Sequence, residues 1–199
     1  MNKILFLIIL FLSPIVMAEV SLKKFSIEGI SIGDSVADYF PGREITKNIV
    51  KQTGLTDEFY VAHFNKHKSF DKFDQIYFVI NPSTDNVLFP IEGISAFISF
   101  KQDIEKCFEQ KDYFFKQIIN IYKQEINKKL IDINTAIKTH PSDLTGNSTY
   151  EQTDIKFPNG YIRIVCYDMQ PNSGVNDALI LDFFTKNVDR WLNNEVEEN

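Results

Sequence analysis

The clearest hydrophobic pattern lies in residues 91–130. From residue 94 to residue 100 every second residue is apolar, which is the period of a β-strand with one buried face. From residue 104 onward the apolar residues recur at helical spacing. They are Ile104, Cys107, Phe108, Phe115, Ile118, Ile119, Tyr122, Ile126 and Leu130. The pattern predicts a strand that continues into one long helix, which can bend at Lys111 and Asp112 because the stripe lapses there.

Shorter patterns on either side predict further elements. Aromatic and β-branched runs separated by turn residues predict two hairpins, with turns at residues 81–86 and 158–160. The predicted strands cover residues 59–64, 73–80, 87–100, 149–157, 161–168 and 178–184. Short helices are predicted at residues 36–40, at residues 44–52 and after Thr185, which can cap the last one. Residues 132–148 show the weakest pattern and are predicted to form a surface loop.

Together these elements predict an α+β fold. The sheet is expected to be antiparallel, because most of its strands are joined by hairpins. We expect five to six hairpin-connected strands, one long central helix and short flanking helices.

The first eighteen residues have the pattern of a secretory signal peptide. Lys3 precedes an apolar run at residues 4–12, and Val16-Met17-Ala18 offers a cleavage site before Glu19. The apolar run is shorter than the ~20 residues that a membrane-spanning helix needs. We therefore expect residues 1–18 to be removed. Residues 19–199 are then expected to form a single α+β domain that is periplasmic or secreted.

Composition narrows the classes of partner. The chain has a net charge of −6, which becomes −7 without Lys3 and disfavours nucleic acid or an anionic membrane as partner. No later segment approaches the length of a membrane span, so no stable membrane insertion is expected after signal cleavage. The sequence contains neither a Walker motif nor Gly-x-Gly-x-x-Gly, so we expect no nucleotide cofactor.

The two cysteines predict one structural disulfide. Cys107 lies on the apolar stripe of the predicted helix, and Cys166 alternates with Ile162 and Ile164 on one face of a predicted strand. Both thiols should therefore point into the same helix–sheet interface, and paired cysteines are typical of exported chains. A redox-active or metal-binding pair is the alternative, but the chain has no Cys-x-x-Cys motif to favour it.

One histidine pair is a candidate metal site. His63 and His67 are four residues apart, and Asp71 and Asp74 follow closely. The first histidine lies in a predicted strand, and the spacing matches no known metal-binding motif. A basic, solvated loop is the preferred interpretation, and no metal is expected.

A second group of polar residues has the composition of a hydrolase triad. His140, Ser142, Asp143 and Ser148 lie in one predicted loop. A triad depends on spatial arrangement, and the chain has no Gly-x-Ser-x-Gly elbow. A polar turn is therefore the preferred interpretation, with an active site around this loop as the alternative.

The segment from Gly29 to Phe40 carries a resemblance. Its Ile32-Gly33-Asp34-Ser35 motif at the start of a helix resembles a group of small exported bacterial proteins of uncharacterised activity. The resemblance extends to the first hairpin and to the surroundings of Cys107 and Cys166, and it implies no activity. More distantly, residues 29–36 resemble the first turn of the outer-membrane-assembly lipoproteins, although the lipobox of that family is absent.

These observations favour a non-catalytic periplasmic protein that binds a small molecule or another protein. The alternatives are an enzyme with its site around residues 140–148 and a factor in envelope assembly. No catalytic residue is assigned from the sequence.

Export should remove residues 1–18. We expect the intact mass of protein recovered from the periplasm to correspond to a chain that begins at Glu19, because signal peptidase cleaves after a small residue such as Ala18. Cytoplasmic protein retained by a secretion block is the control and should keep Met1. Periplasmic protein that still carries residues 1–18 would contradict the prediction.

Overall fold

The computed structural model describes residues 21–50, 55–82, 89–143 and 145–193; the predicted signal peptide lies outside these residues. The strands are β1 (Ile49–Val50), β2 (Tyr60–Asn65), β3 (Gln75–Ile80), β4 (Ile91–Lys101), β5 (Asp132–Thr139), β6 (Thr149–Phe157), β7 (Gly160–Asp168) and β8 (Asp177–Thr185). The α-helices are α1 (Gly42–Asn48), α2 (Ile104–Ile121), α3 (Lys123–Asn127) and α4 (Lys186–Leu192). Short 3-10 turns cover Leu22–Lys24, Val36–Asp38 and Pro171–Ser173.

The strands form one antiparallel sheet in the order β1-β2-β3-β4-β8-β7-β6-β5. The α+β class and the antiparallel sheet are thus confirmed. None of the helices in the described residues is long and apolar enough to cross a bilayer.

One face of the sheet carries the main core and is covered by α2. Alternate residues of the central strands point to this face and are buried, which matches the period of two in their sequences. They are Ile94, Ala96, Ile162, Ile164, Cys166, Leu179, Leu181 and Phe183. Helix α2 contributes the buried Cys107, Phe114 and Ile118. Each fully buried Ile or Leu side chain stabilises the fold by roughly 1.5–3 kcal/mol.

The opposite face has a smaller core at one end, under α4. Val188 and Trp191 of α4 pack on Phe184 of β8, Val61 of β2 and their apolar neighbours. Thr185 caps the helix, as expected, since its side chain accepts a hydrogen bond from the Val188 N–H at 3.4 Å. The Trp191 indole donates to the Thr56 carbonyl at 3.0 Å.

The structure places the two cysteines at disulfide distance. Cys107 in the first turns of α2 and Cys166 in β7 have Sγ atoms 2.03 Å apart and Cα atoms 5.9 Å apart. Both side chains are buried in the interface between α2 and the sheet. The bond therefore holds the N-terminal half of α2 against β7.

The predicted strand count was wrong, because the described residues form a sheet of eight strands. The additional strands are β1, which is two residues long, and β5, which lies in the segment predicted as a loop. Strand β5 is an edge strand, and most of its residues are exposed whichever face they point to. Without a buried face its sequence lacks the alternation that identifies a strand, and its hydrogen bonds to β6 determine its conformation.

The prediction of a single long helix was also wrong. Helix α2 ends at Ile121, and Tyr122 separates it from the five-residue α3. The Tyr122 side chain is fully buried, and its hydroxyl donates to the carbonyls of Ser21 or Leu22 at 3.1 and 3.2 Å. Helix α2 is uninterrupted at Lys111, which is buried and whose ammonium pairs with the Glu151 carboxylate at 2.6 Å. The apolar pattern lapses at this position because a lysine, and not an apolar residue, occupies the buried face of α2.

Loss of the disulfide should lower the stability of the fold. We expect the double variant Cys107→Ala/Cys166→Ala to lose about 2–4 kcal/mol of unfolding free energy, because the bond closes a separation of 59 residues in the unfolded chain. Urea titration followed by Trp191 fluorescence measures the loss. Reduced wild-type protein is the control, since Ala also removes two buried sulfur atoms. Equal stability of the oxidised wild type and the variant would contradict the prediction.

Candidate functional site

The face of the sheet opposite α2 is only partly covered. Helix α4 packs on one end of this face, against β8, β7 and β4. Beyond α4, no α-helix of the described residues covers it. We refer to this uncovered part as the open face.

A row of polar side chains crosses the open face from β2 to β5. Each residue of the row is the direct cross-strand partner of the next, so all of them point to the same side of the sheet. The row consists of His63, Tyr77, Ser95, Asp182, Arg163, Asp154 and Asn134. We refer to these seven residues as the polar row.

Neighbouring members of the polar row contact each other by ring stacking and by hydrogen bonds. The rings of His63 and Tyr77 stack with centroids 4.1 Å apart and planes 3° from parallel. The Arg163 Nε donates to Asp154 at 2.6 Å, and its guanidinium lies 4.8 Å from the centre of the Tyr161 ring. These contacts pair the charge of Arg163 with Asp154 and place its guanidinium against the Tyr161 ring.

Asp182 is an acid of the polar row whose pKa is raised. Burial between neighbouring strands raises the pKa of Asp182 to about 6, although a hydrogen bond with Ser95 and the positive charge of Arg163 both lower it. The desolvation cost of a carboxylate at this position therefore exceeds the stabilisation that Ser95 and Arg163 give to its charged form. The charge of the open face accordingly changes between mildly acidic and neutral pH.

A cavity of about 630 Å³ lies on the open face beside the polar row. Its floor is made by apolar and aromatic side chains of β4, β7 and β8, including Phe97, Tyr167 and Ile180. The remaining lining residues are Lys66, Asp74, Gln75, Ser99, His140, Met169, Gly174, Val175, Asn176 and Ala178. This volume, with an apolar floor and a few polar groups, is typical of a small-molecule site.

Hydrogen bonds hold the polar side of the cavity in place. The Ser99 N–H donates to the Asp74 carboxylate at 2.8 Å, and the Asn176 amide donates to the Ser99 hydroxyl at 3.1 Å. The N–H of Met169, the residue after β7, donates to the carboxylate of Asp177 at the start of β8 at 2.8 Å. By contrast, the Lys66 ammonium has no ion-pair partner within the described residues. Lys66 is therefore the cation of the lining that is available to a ligand.

The structure brings one residue of the predicted triad set to the cavity, which is His140. The His140 ring lies edge-on to Tyr167 with centroids 5.4 Å apart. Its Nδ1 accepts a hydrogen bond from the Ser142 N–H at 3.3 Å. In the neutral ring the proton is then on Nε2, which makes that atom a hydrogen-bond donor.

The other triad candidates stabilise their own turn. The Asp143 carboxylate accepts from the Thr145 N–H and hydroxyl at 2.8 and 2.6 Å, and from the Ser148 N–H at 2.6 Å. These bonds hold the pKa of Asp143 well below its usual range. The Ser148 hydroxyl oxygen accepts from the Gln170 N–H at 3.2 Å. Hydrogen bonding that shapes a loop thus accounts for Asp143 and Ser148.

The histidine pair lies in two different environments. His63 belongs to the polar row, whereas the His67 Nε2 lies 2.8 Å from the Glu44 carboxylate and its ring packs against Phe40. In the described residues, no three His, Cys, Asp or Glu side chains are grouped so that they could hold a metal ion. Asp74, which was also a candidate metal ligand, lines the 630 Å³ cavity and accepts the hydrogen bond from the Ser99 N–H.

The chain matches no family model, no curated protein and no solved structure. The candidate site is therefore assigned from the geometry of this chain alone. Sequence reasoning missed Arg163 and Asp182, although a charged residue between apolar neighbours in a strand indicates a partly covered second face. It also missed Phe97 and Ile180, whose common cavity appears only when β4 and β8 pair.

Asp182 should make stability depend on pH. Its folded pKa of about 6 lies above the unfolded value of 3.8, so the folded state binds the proton more tightly and stability falls as pH rises from about 4 to 6. Relative to wild type, Asp182→Asn should gain up to about 3 kcal/mol of unfolding free energy between pH 4 and pH 7.5.

Urea titrations at both pH values measure this difference. The exposed Asp71→Asn is the matched control, because it makes the same chemical change outside the sheet. A stability difference between wild type and Asp182→Asn that does not change with pH would show that Asp182 ionises normally.

Proposed function

We propose that this is an exported, non-catalytic binding protein of the bacterial periplasm. Its ligand is a small amphipathic organic molecule held in the 630 Å³ cavity of the open face. The observation that carries the proposal is this cavity, which has an apolar floor and a fixed polar side. The predicted signal peptide supports the location.

The lining residues indicate the chemistry of the ligand. Phe97, Tyr167 and Ile180 offer a flat apolar surface, which favours an aromatic or alicyclic ring. Lys66 and the Nε2–H of His140 are donors, so a carboxylate, sulfonate or similar acceptor group on the ligand would complement them. We expect no nucleic acid as partner, because the chain carries net negative charge.

An enzyme is the second candidate. Its support is that His140, Asp74 and Tyr167 line the same cavity, and all three are side chains that could take part in proton transfer. Against it, Asp143 and Ser148 are engaged in the turn and Ser142 does not line the cavity. Among the described residues that line the cavity, no nucleophile paired with a base supports a particular reaction, and binding is therefore preferred.

A charged aromatic probe should bind in the cavity. We expect 1-anilinonaphthalene-8-sulfonate to bind folded wild-type protein with enhanced fluorescence, and Lys66→Glu to raise its dissociation constant about tenfold, because the new carboxylate repels the sulfonate. Lys68→Glu is the matched control, since Lys68 is exposed, two residues away and absent from the lining. Phe97→Ala should weaken binding by removing part of the floor.

The outcome separates the two functions. Equal binding by wild type, Lys66→Glu and Phe97→Ala would contradict the cavity as the site, provided that near-ultraviolet circular dichroism shows each protein to be folded. Mass spectrometry of periplasmic small molecules incubated with the protein gives the second readout. Conversion of a compound by wild type but not by His140→Ala would favour the enzyme.

A further inference from the structure

Strand β5 leaves one side of its backbone unpaired. It is bonded to β6 on one side and is the last strand of the sheet, and no strand of the described residues pairs with its other side. Ile137 in this strand is 71% exposed, although it is a large apolar residue. An exposed edge of eight residues with such a side chain is a template for pairing with another strand.

The direction of the free backbone groups follows from the pairing with β6. The two strands pair without a register shift from Asp132 to Thr139, and beyond them the His140 N–H donates to the Ser148 carbonyl at 2.8 Å. Hydrogen-bonded pairs alternate along an antiparallel ladder, so even-numbered residues of β5 bond to β6. The N–H and C=O groups of Ile133, Thr135 and Ile137 therefore point outward.

The sequence of β5 is complementary to itself. In an antiparallel pair of two copies with Thr135 opposite Thr135, Ile133 lies opposite Ile137, and Asp132 lies opposite Lys138. The outward backbone groups then meet each other, and opposite charges and apolar side chains are matched across the pair. A shift of two residues places Asp132 opposite Ala136 or His140 and loses this match. A shift of one places the apolar residues on opposite faces of the sheet.

We propose that β5 pairs with β5 of a second copy of this chain, in the register with Thr135 opposite Thr135. The pair joins the sheets of both copies into one and covers Ile137 with Ile133 of the second copy. Asp132 and Lys138 are both exposed and carry the charge complementarity that selects a second copy as the partner. The strand offers a small contact, so the dimer belongs to the weak, concentration-dependent class.

Charge reversal tests the register. Sedimentation equilibrium of the mature chain should show a monomer–dimer equilibrium with a dissociation constant of about 10–1,000 μM. Lys138→Asp and Asp132→Lys should each weaken the dimer about tenfold or more, because like charges then meet across the pair. The double variant Asp132→Lys/Lys138→Asp restores opposite charges and should recover wild-type affinity. Lys68→Asp, an exposed change outside β5, is the control.

A second variant tests the backbone pairing without relying on charge. Thr135→Pro removes an outward N–H that the β5–β6 ladder does not use, so it should abolish the dimer while thermal melting shows a folded monomer. A chain that is monomeric at 1 mM would overturn the proposal. So would a dimer that is unaffected by Thr135→Pro or by charge reversal. Capture of a different protein by β5 with no self-association would identify a different partner and would also overturn it.

Discussion

The packing of α2 on β7 and β8 is the contact on which the rest of the structure depends. Cys107 and Ile118 of the helix are buried against the alternating apolar residues of those strands, and the disulfide to Cys166 lies inside this interface. Tyr122 ends the helix where its hydroxyl reaches the carbonyls of Ser21 or Leu22. Helix α2 covers one face of the sheet, and the 630 Å³ cavity lies on the other.

The open face results from unequal coverage of the sheet. Helix α4 is two turns long and covers only one end, so the central strands present their second set of side chains to solvent or to a ligand. A half-covered sheet can carry Arg163 and Asp182 beside apolar residues, because Arg163 pairs with Asp154 and the buried Asp182 carboxyl has Ser95 and Arg163 as partners. Binding chemistry is possible on this face because a complete core does not occupy it.

The success of prediction varied with the source of each element's stability. Residues 149–168 form a hairpin because their own alternation and turn residues specify it. The cap at Thr185 could likewise be predicted, since it depends only on Thr185 and the nearby Val188. Strand β5 was missed because its stability comes from pairing with β6. The cavity was missed because Lys66, Phe97, Tyr167 and Ile180 are distant in the chain.

The sequence by itself determined the fold class, the hairpins and the buried faces of the central strands, because short-range periodicity specifies them. Only the tertiary structure decided that eight strands pair in the described part of the chain and that α2 ends at Ile121. It also decided which residues share the open face, since cross-strand register places Asp182 between Ser95 and Arg163. Register is a long-range property, and the burial of the opposite face under α2 imposes it.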